Sequence, residues 1–327
     1  MKAWRVSGLG EPRDVMSLEE LTIPTPDAGQ VLVRVLGAAA NFPDVLMCRG
    51  LYQVKPPLPF TPGVELCGEV VALGPGDTDF APGDRVIGSS VLPAGGFGEF
   101  ALMDASRTFS APDVLDDAEA ASFYIGYQTG WFGLHRRAHL QPGETLLVHA
   151  AAGGVGSGAV QLGKAIGARV IGVVGGPEKA EVARRLGADV VVDRYSEDFV
   201  EVVKEVTEGR GADVVYDPVG GDAYQRSTKC IAFEGRILVV GFAGGEIQSA
   251  ALNHALIKNY SIVGLQWGLY AKKNPALMRF CHEELCKLAA DGAIKPLVSE
   301  RLALDAVADG LQRLADGTTV GRVVFVS

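Results

Sequence analysis

A short apolar run that leads straight into a glycine-rich turn constrains this chain more than any other feature. Residues 146–148 (LLV) are typical of a strand buried in a parallel sheet, and the turn that follows opens a helix. Gly153, Gly154 and Gly156 allow backbone amides to approach a phosphate group at the start of that helix. Because Ala151 replaces the first glycine of the G-x-G-x-x-G fingerprint, a glycine turn without a ligand is the alternative. Together with the pattern that follows, the turn predicts a cradle for the pyrophosphate of a dinucleotide.

From residue 144 onward, strands alternate with helices at intervals of about 25 residues, which predicts a parallel sheet. The segments between the strands are amphipathic at helical spacing, as in residues 179–186 and 199–206. Six strands of this kind complete a doubly wound Rossmann sheet. The apolar runs that predict them are residues 146–149, 169–174, 189–192, 213–216, 237–240 and 261–265.

Before residue 125 the chain has short apolar strands joined by Pro/Gly turns, which predicts a mostly antiparallel β domain. The residues after 265 predict two further helices and two further strands, more than the parallel sheet needs. We expect an α/β protein in which residues 1–125 form a β-rich domain and residues 126–265 form the Rossmann domain. Residues 266–327 are expected to return and complete the first domain.

The composition is that of a soluble globular protein, since 48% of the 327 residues are hydrophobic and 21% are charged. The formal net charge of -9 argues against nucleic acid as a partner and favours a small-molecule substrate. Apolar runs long enough to cross a bilayer and a signal peptide are both missing, so we expect a cytoplasmic protein with no membrane partner. The five scattered cysteines form no CxxC pair and are expected to be free thiols.

The end of the second predicted strand indicates which dinucleotide is bound. An NAD site usually places an acidic residue there for the ribose 2′-hydroxyl, whereas this strand ends at Gly175 and Gly176. A small neutral ending leaves room for a 2′-phosphate, which Lys179 and Arg194 would neutralise. The alternatives are a solvated helix lysine and a surface loop arginine, and Glu178 beside Lys179 would oppose a phosphate unless it points away. The sequence therefore predicts NADP.

Motifs spread over the whole chain carry a resemblance to a known family. They are residues 39–44 (AANFPD), 49–52 (RGLY), 62–65 (PGVE), 82–86 (PGDRV), 96–100 (GFGEF), 149–156 (HAAAGGVG) and 216–220 (YDPVG). In this order they resemble the zinc-independent quinone oxidoreductases of the medium-chain dehydrogenase/reductase superfamily, the group that includes zeta-crystallin. The resemblance implies a GroES-like catalytic domain, an inserted Rossmann domain and an active site in the cleft between them.

The resemblance also implies that no catalytic zinc is bound. Asn41 and Val64 stand where zinc-dependent members carry two of their metal ligands. Without this Lewis acid, hydride addition to a quinone or an α,β-unsaturated carbonyl is the expected reaction. By similarity, Asn41 and Tyr52 would hydrogen-bond the acceptor oxygen. The alternative for Asn41 is a helix cap, and the alternative for Tyr52 is an aromatic side chain packed in its loop. Asp44 and Glu65 are interpreted as structural.

The remaining cofactor contacts follow from the cradle, from the ends of the fifth and sixth strands, and from the positions that match relatives. Ligands bind outside the carboxyl ends of parallel strands, so the backbone that follows those strands is expected to flank the nicotinamide. The predicted contacts are Thr129, Ala152, Gly153, Gly154, Val155, Gly156, Gly175, Lys179, Arg194, Gly241, Phe242, Ala243, Leu265, Trp267 and Arg322.

Two other functions stay open at the level of sequence. Reduction of an enoyl thioester has the same logic as reduction of an enone, and relatives of this fold also serve as lens structural proteins or RNA binders. The sequence favours an NADPH-dependent reductase with a quinone or enone as its small-molecule substrate. The apolar final strand of the parallel sheet, residues 261–265, is a candidate edge for pairing with a second copy, so a homodimer is expected.

Overall fold

The computed structural model describes residues 1–326 and divides into two compact units. Unit 1 contains Met1–Ile125 together with the residues from Pro296 onward, and unit 2 contains Gly126–Lys295. The first division falls at the predicted residue 125. The second falls at residue 295, whereas residue 265 was expected. None of the helices in the described residues combines the length and the apolar character that crossing a bilayer requires.

The strands are, in chain order, β1 (Lys2–Val6), β2 (Met16–Glu20), β3 (Gln30–Ala39), β4 (Glu65–Leu73), β5 (Arg85–Ser90), β6 (Phe100–Ser110), β7 (Thr145–His149), β8 (Arg169–Val174), β9 (Val190–Asp193), β10 (Ala212–Asp217), β11 (Ile231–Val239), β12 (Ser261–Gly264), β13 (Val298–Ala303) and β14 (Arg322–Val326).

The helices are α1 (Pro12–Val15), α2 (Phe42–Cys48), α3 (Asp117–Ala121), α4 (Tyr124–Trp131), α5 (Gly154–Ile166), α6 (Pro177–Arg185), α7 (Phe199–Val206), α8 (Asp222–Ser227), α9 (Leu252–Lys258), α10 (Leu269–Lys273), α11 (Pro275–Ala290) and α12 (Val307–Ala315). A π-helix (Phe132–Arg137) continues α4, and a 3₁₀ turn (Leu304–Ala306) precedes α12.

The main sheet of unit 1 has the strand order β13-β14-β3-β4-β5-β6, and a further pairing between β3 and β6 curls it toward closure. Its pairs are antiparallel except for β13 with β14. The carboxy-terminal strand β14 lies between β13 and β3, and Phe325 packs edge-on against Phe97 with ring centroids 5.2 Å apart. The prediction of a mostly antiparallel β domain is confirmed, and its carboxy-terminal strands complete it.

The sheet of unit 2 is parallel throughout, with the strand order β12-β11-β10-β7-β8-β9. This is the doubly wound order, in which the chain reverses direction across the sheet between β7 and β10. Every residue of β7 is buried, as expected for a strand covered by helices on both faces. The predicted six-stranded Rossmann sheet is confirmed. Strand β11 begins six residues before the predicted start at residue 237, since it begins at Ile231.

Aromatic packing explains why residues 266–295 lie in unit 2 and not with the carboxy-terminal strands. The ring of Tyr270 stacks on Phe132 at 4.2 Å between centroids, and Phe280 meets Trp131 edge-on at 6.0 Å. At the end of the segment, the Gln161 amide donates to the Lys295 carbonyl at 2.9 Å. The expectation that the returning segment starts at residue 266 is therefore corrected, because helices α10 and α11 cover the Rossmann unit.

Candidate active site

The predicted cradle forms at the junction between β7 and α5. The strand ends at His149, Ala150 adopts a left-handed φ of 50°, and the helix begins after the N-cap residue Gly153. The first backbone N–H groups of a helix have no acceptor within the helix, so they are available to bind an anion. A Cβ on Gly156 would lie 2.1 Å from the Ala150 carbonyl oxygen, so only glycine permits this tight turn.

Helix α4 lies against the start of α5 through small residues. A Cβ on Gly126 would stand 3.2 Å from the Gly154 carbonyl oxygen, and one on Gly130 would stand 2.6 Å from the Leu162 side chain. Close approach of the two helices follows from these missing side chains. The buried Thr129, a predicted cofactor contact, lies between these two glycines on α4 and therefore beside the cradle.

The loops after β8 and β9 are joined by one carboxylate. Oδ1 of Asp193 accepts from the backbone N–H of Gly176 at 2.8 Å and from that of Tyr195 at 3.1 Å. These two hydrogen bonds lower the pKa of Asp193, which keeps the carboxylate charged and directed at the backbone. Gly176 has a φ of 94°, so the turn at the end of β8 depends on its lack of a side chain. Asp193 thus shapes the region where a 2′-phosphate is expected.

Two polar side chains, those of Arg194 and Tyr195, lie against Gly175. A Cβ on Gly175 would lie 3.1 Å from Arg194 Nε and 3.1 Å from the hydroxyl of Tyr195. Nη2 of Arg194 donates to that hydroxyl at 3.3 Å. This hydrogen bond, followed by the positive charges of Arg194 and Lys179, lowers the pKa of Tyr195. Arg194, Tyr195 and Lys179 therefore form a cationic corner with a phenol at its centre, at the end of the second strand.

Tyr195 is a residue that the sequence prediction missed. Its side chain is 73% exposed, which gives it no role in the core. The only available signal was its place next to Arg194, directly after the third strand of the parallel sheet. Since its hydroxyl lies against Arg194 above Gly175, Tyr195 belongs with the predicted contacts.

The other predicted contacts in unit 2 follow the carboxyl ends of β11 and β12. Gly241, Phe242 and Ala243 come after β11, and the Ala243 N–H donates to the Pro218 carbonyl oxygen at 3.0 Å. Leu265 and Trp267 come after β12. The carboxyl ends of parallel strands lie on one side of the sheet, so the predicted contacts that follow these strands lie on the side that carries the cradle.

A buried polar cluster lies in unit 1, formed by Asn41, Glu65 and Arg322. The Arg322 guanidinium donates to Asn41 Oδ1 at 3.0 Å and to Glu65 Oε2. Nδ2 of Asn41 donates to Glu65 Oε2 at 2.9 Å and to the Ala39 carbonyl oxygen at 3.1 Å. The other oxygen of Glu65, Oε1, accepts a hydrogen bond from the Ile125 N–H at 2.6 Å. Both amide hydrogens of Asn41 are therefore engaged, and Arg322, a predicted cofactor contact, has Glu65 as its charged partner.

Asp44 holds the turn before β4 against the start of α2. Its Oδ1 accepts from the N–H groups of Gly63 and Val64 at 2.9 and 3.1 Å, and its Oδ2 accepts from the Asn41 N–H at 3.0 Å. Complete burial raises the pKa of Asp44 to about 7, while these three donors act in the opposite direction. All its hydrogen bonds come from backbone N–H groups, as its interpretation as a structural residue predicts.

Tyr52 is half-buried and packs against the core of unit 1. Its hydroxyl makes no hydrogen bond with residues 1–326, in contrast to the Asn41 amide. Burial, with a smaller effect of the Asp44 charge, raises the pKa of Tyr52, so the phenol stays protonated. Of the two predicted catalytic residues, only Tyr52 has a hydrogen-bond donor that is not already used within residues 1–326.

Comparisons with known proteins agree with this architecture. Residues 27–113 match the alcohol dehydrogenase GroES-like domain, and residues 154–283 match the zinc-binding dehydrogenase family. A quinone oxidoreductase-like protein 2 homolog of Nematostella vectensis is 39% identical over 97% of this chain and 86% of that protein. The chain belongs to the medium-chain dehydrogenase/reductase superfamily. Within it, the chain is similar to quinone oxidoreductase-like proteins.

Solved structures of this superfamily have the same fold. A mycobacterial protein complexed with NADPH is 32% identical with a TM-score of 0.92, and Escherichia coli quinone oxidoreductase complexed with NADPH is 30% identical with a TM-score of 0.92. Both matches cover 100% of each chain. The CurK enoyl reductase is 26% identical with a TM-score of 0.88 over 99% of this chain and 98% of that one. Part of a polyketide synthase subunit of Mycobacterium tuberculosis, 14% of its length, is 35% identical over 95% of this chain.

The zinc that some members of the superfamily bind does not fit the residues found here. Among residues 1–326, no three His, Cys, Asp or Glu side chains come together in a group that could hold a metal ion. Asn41 and Val64 occupy two of the positions expected for metal ligands, and the neighbouring Glu65 already pairs with the guanidinium of Arg322. The amide of Asn41, the aliphatic side chain of Val64 and the ion-paired carboxylate of Glu65 do not match the ligands that zinc takes.

The cradle can be tested with Gly156→Ala. The added Cβ would collide with the Ala150 carbonyl oxygen, so we expect NADPH affinity to fall at least about tenfold, or about 1.4 kcal/mol. Gly158→Ala is the matched control on the same helix, since its Cβ would find its nearest neighbour at 3.5 Å. Fluorescence titration with NADPH measures both, and circular dichroism checks that both fold. Equal affinity of the two variants would contradict the assigned role of Gly156.

Proposed function

We propose that this protein is an NADPH-dependent reductase that transfers hydride to a quinone or an α,β-unsaturated carbonyl without a catalytic zinc. The observation that carries the proposal is the cationic corner, in which Arg194 and Tyr195 lie against Gly175 and the charge of Lys179 acts on Tyr195. An NAD site would place a carboxylate at the end of this strand, whereas this arrangement provides charge and hydrogen bonds for a 2′-phosphate. The NADPH complexes of two similar structures support this choice of cofactor.

NADPH, when bound, supplies the hydride, and the rest of the chemistry falls to the protein side chains. A conjugated acceptor gains negative charge on its oxygen as hydride arrives, and a positioned donor stabilises that charge. We assign this donor to the Tyr52 phenol, which is protonated and unengaged among the described residues. The Asn41 amide is already hydrogen-bonded to Glu65 and Arg322. It can therefore donate a hydrogen bond to the acceptor only if one of its present hydrogen bonds breaks, and its role is to hold the polar cluster in place.

The role of Tyr52 predicts a specific loss on its replacement by phenylalanine. Tyr52→Phe keeps the packing and removes only the hydroxyl, so we expect kcat to fall about 100-fold, equivalent to about 3 kcal/mol. NADPH affinity is expected to stay unchanged. Steady-state kinetics on a quinone acceptor and a separate NADPH titration provide the two readouts. A variant that retains the wild-type kcat would remove Tyr52 from the mechanism.

The cationic corner predicts the cofactor preference of two alanine variants. Lys179→Ala and Arg194→Ala are each expected to weaken NADPH by about 1 to 3 kcal/mol and to leave NADH affinity nearly unchanged. Arg184→Ala is the control, because Arg184 is on the same helix as Lys179 but pairs with Glu181 at 3.4 Å on the surface. Equal losses for NADPH and NADH would show that these side chains do not bind the 2′-phosphate.

The reductase itself is tested by NADPH consumption with a panel of acceptors. The panel holds an ortho-quinone, a para-quinone, a simple enone and an enoyl thioester, and absorbance of the reduced cofactor follows turnover. We expect turnover with quinones or the enone and a strong preference for NADPH over NADH. Firm NADPH binding without turnover of any acceptor would contradict the reductase and favour a non-catalytic role.

Reduction of an enoyl thioester is a second candidate, because two of the similar proteins are an enoyl reductase and a polyketide synthase subunit. The same phenol and the same hydride donor serve both reactions, since each places negative charge on a carbonyl oxygen. The two candidates differ in specificity. A kcat/KM for the enoyl thioester well above that for every quinone and for the simple enone would replace the first proposal with the second.

We also propose that the protein forms a homodimer through the free edge of its parallel sheet. Strand β12 pairs with β11 on one side and with no other described strand, and the apolar residues Leu252, Leu256 and Ile257 of the adjacent α9 are 72–77% exposed. An uncovered strand edge flanked by apolar side chains favours pairing with a second copy. The partner is therefore expected to be the same chain.

The dimer is tested by sedimentation velocity at micromolar concentration. Wild-type protein should sediment as a dimer, and Leu256→Asp should shift it toward the monomer, because a charge would be buried in the interface. Val114→Asp is the control, since Val114 is an exposed apolar residue of unit 1 with 57% exposure. A monomeric wild-type protein would refute this assembly.

A further inference from the structure

A cavity of unit 2 lies at the amino ends of the strands of the parallel sheet, opposite the ends that carry the cradle. Its volume is about 310 Å³, and its lining includes Lys204, Lys229, Lys258, Cys230 and Phe233. Lys229 and Cys230 immediately precede β11, Phe233 lies near its start, and Lys258 comes shortly before β12. These are the amino ends of the strands, whereas the predicted dinucleotide contacts follow the carboxyl ends. The cavity therefore belongs to neither the proposed cofactor site nor the buried cluster of unit 1.

Two of the three lysines are held in place by hydrogen bonds. Lys204 Nζ lies 3.0 Å from Glu201 Oε1, and Lys258 Nζ donates to the Thr228 carbonyl oxygen at 2.9 Å. Lys229 is exposed. Glu201 compensates the charge of Lys204, whereas Lys229 and Lys258 form no ion pair among residues 1–326. An ammonium group has three hydrogens, so both anchored lysines keep donors for a ligand.

The rest of the lining is apolar. Cys230 and Ile231 are buried, while Phe233 has 70% of its surface exposed. Burial raises the pKa of Cys230 to about 12, even though Lys258 and Lys204 both act to lower it, so the thiol stays protonated. A site with protonated sulfur and no general base suits binding and not covalent chemistry. Its size is at the lower end of the range of about 300–1,000 Å³ for small-molecule pockets.

The chain takes an unusual backbone path around this cavity. The segment before β10 has left-handed φ angles at Glu208, Gly209 and Gly211, of 53°, 82° and 91°. On the other side, Glu234 has a φ of 56° and its N–H donates to the Asn259 carbonyl oxygen at 2.8 Å. Non-glycine residues adopt such angles only where their surroundings hold them there. The two segments give the cavity walls a defined shape.

From this arrangement we propose that the cavity is a binding site for a small phosphate monoester that carries a flat apolar group. A phosphate dianion matches the positive charges of Lys229 and Lys258, which form no ion pair among residues 1–326, and compact ammonium groups are common phosphate ligands. The flat group would lie on the exposed ring of Phe233, which otherwise presents a large apolar surface to water. Phosphate and ring together explain why cations and an exposed aromatic line the same cavity.

Phenyl phosphate is the probe, titrated by calorimetry into full-length protein saturated with NADPH, so that the cofactor site is already filled. We expect saturable binding that is at least tenfold tighter than for inorganic phosphate, because only phenyl phosphate contacts the ring. Lys229→Ala and Lys204→Ala should each weaken phenyl phosphate about tenfold, and Phe233→Ala should reduce its affinity to that of inorganic phosphate.

Lys287→Ala is the matched control for Lys204→Ala, because Lys287 forms the same three-residue spacing of ion pair, with Glu284 at 2.7 Å, away from the cavity. It should bind phenyl phosphate like the wild type. NADPH affinity should be the same in all variants, which shows that each is folded. The proposal is overturned if phenyl phosphate shows no saturable binding at millimolar concentration, or if Lys287→Ala weakens binding as much as Lys204→Ala does.

Discussion

The buried carboxylate of Glu65 is the constraint on which unit 1 depends. A fully buried charge is tolerated only when it is paired and hydrogen-bonded, and Glu65 receives the Arg322 guanidinium, the Asn41 amide and the Ile125 N–H. These groups come from the last strand, the turn into α2 and the start of α4. One carboxylate therefore fixes the carboxy-terminal strand, the turn into α2 and the residue at which unit 1 passes into unit 2.

The parallel sheet of unit 2 separates two kinds of electrostatic environment. Its carboxyl edge presents the unsatisfied N–H groups at the start of α5 and the cations around Gly175, both suited to the phosphates of a dinucleotide. Its amino edge carries the lysine-lined cavity, formed by residues that precede or begin the strands. The net charge of the chain is -9, so these two positive regions are local features and no general basic surface surrounds them.

Local sequence patterns were sufficient for the six strands of the parallel sheet and for the glycine turn, because each depends on residues close in the chain. The run at 169–174 matches β8, and the run at 146–149 lies within β7. The unit boundary at 295 was missed, since only the packing of Tyr270 and Phe280 on α4 and its π-helical continuation assigns this segment to unit 2. Tyr195 was missed because one exposed aromatic in a loop has no periodic pattern.

The sequence by itself determined the two-unit α/β organisation, the glycine turn and the neutral end of the second strand of the parallel sheet. Each of these depends on which short segments are apolar and on where a side chain would block the backbone. Only the tertiary structure decided that the Asn41 amide donates to Glu65 and that Arg322 binds both residues. The same holds for the three lysines that line one cavity. Asn41 and Arg322 are 281 positions apart, and their contact exists because β14 pairs with β3. Such pairs depend on which strands become neighbours, which no local pattern records.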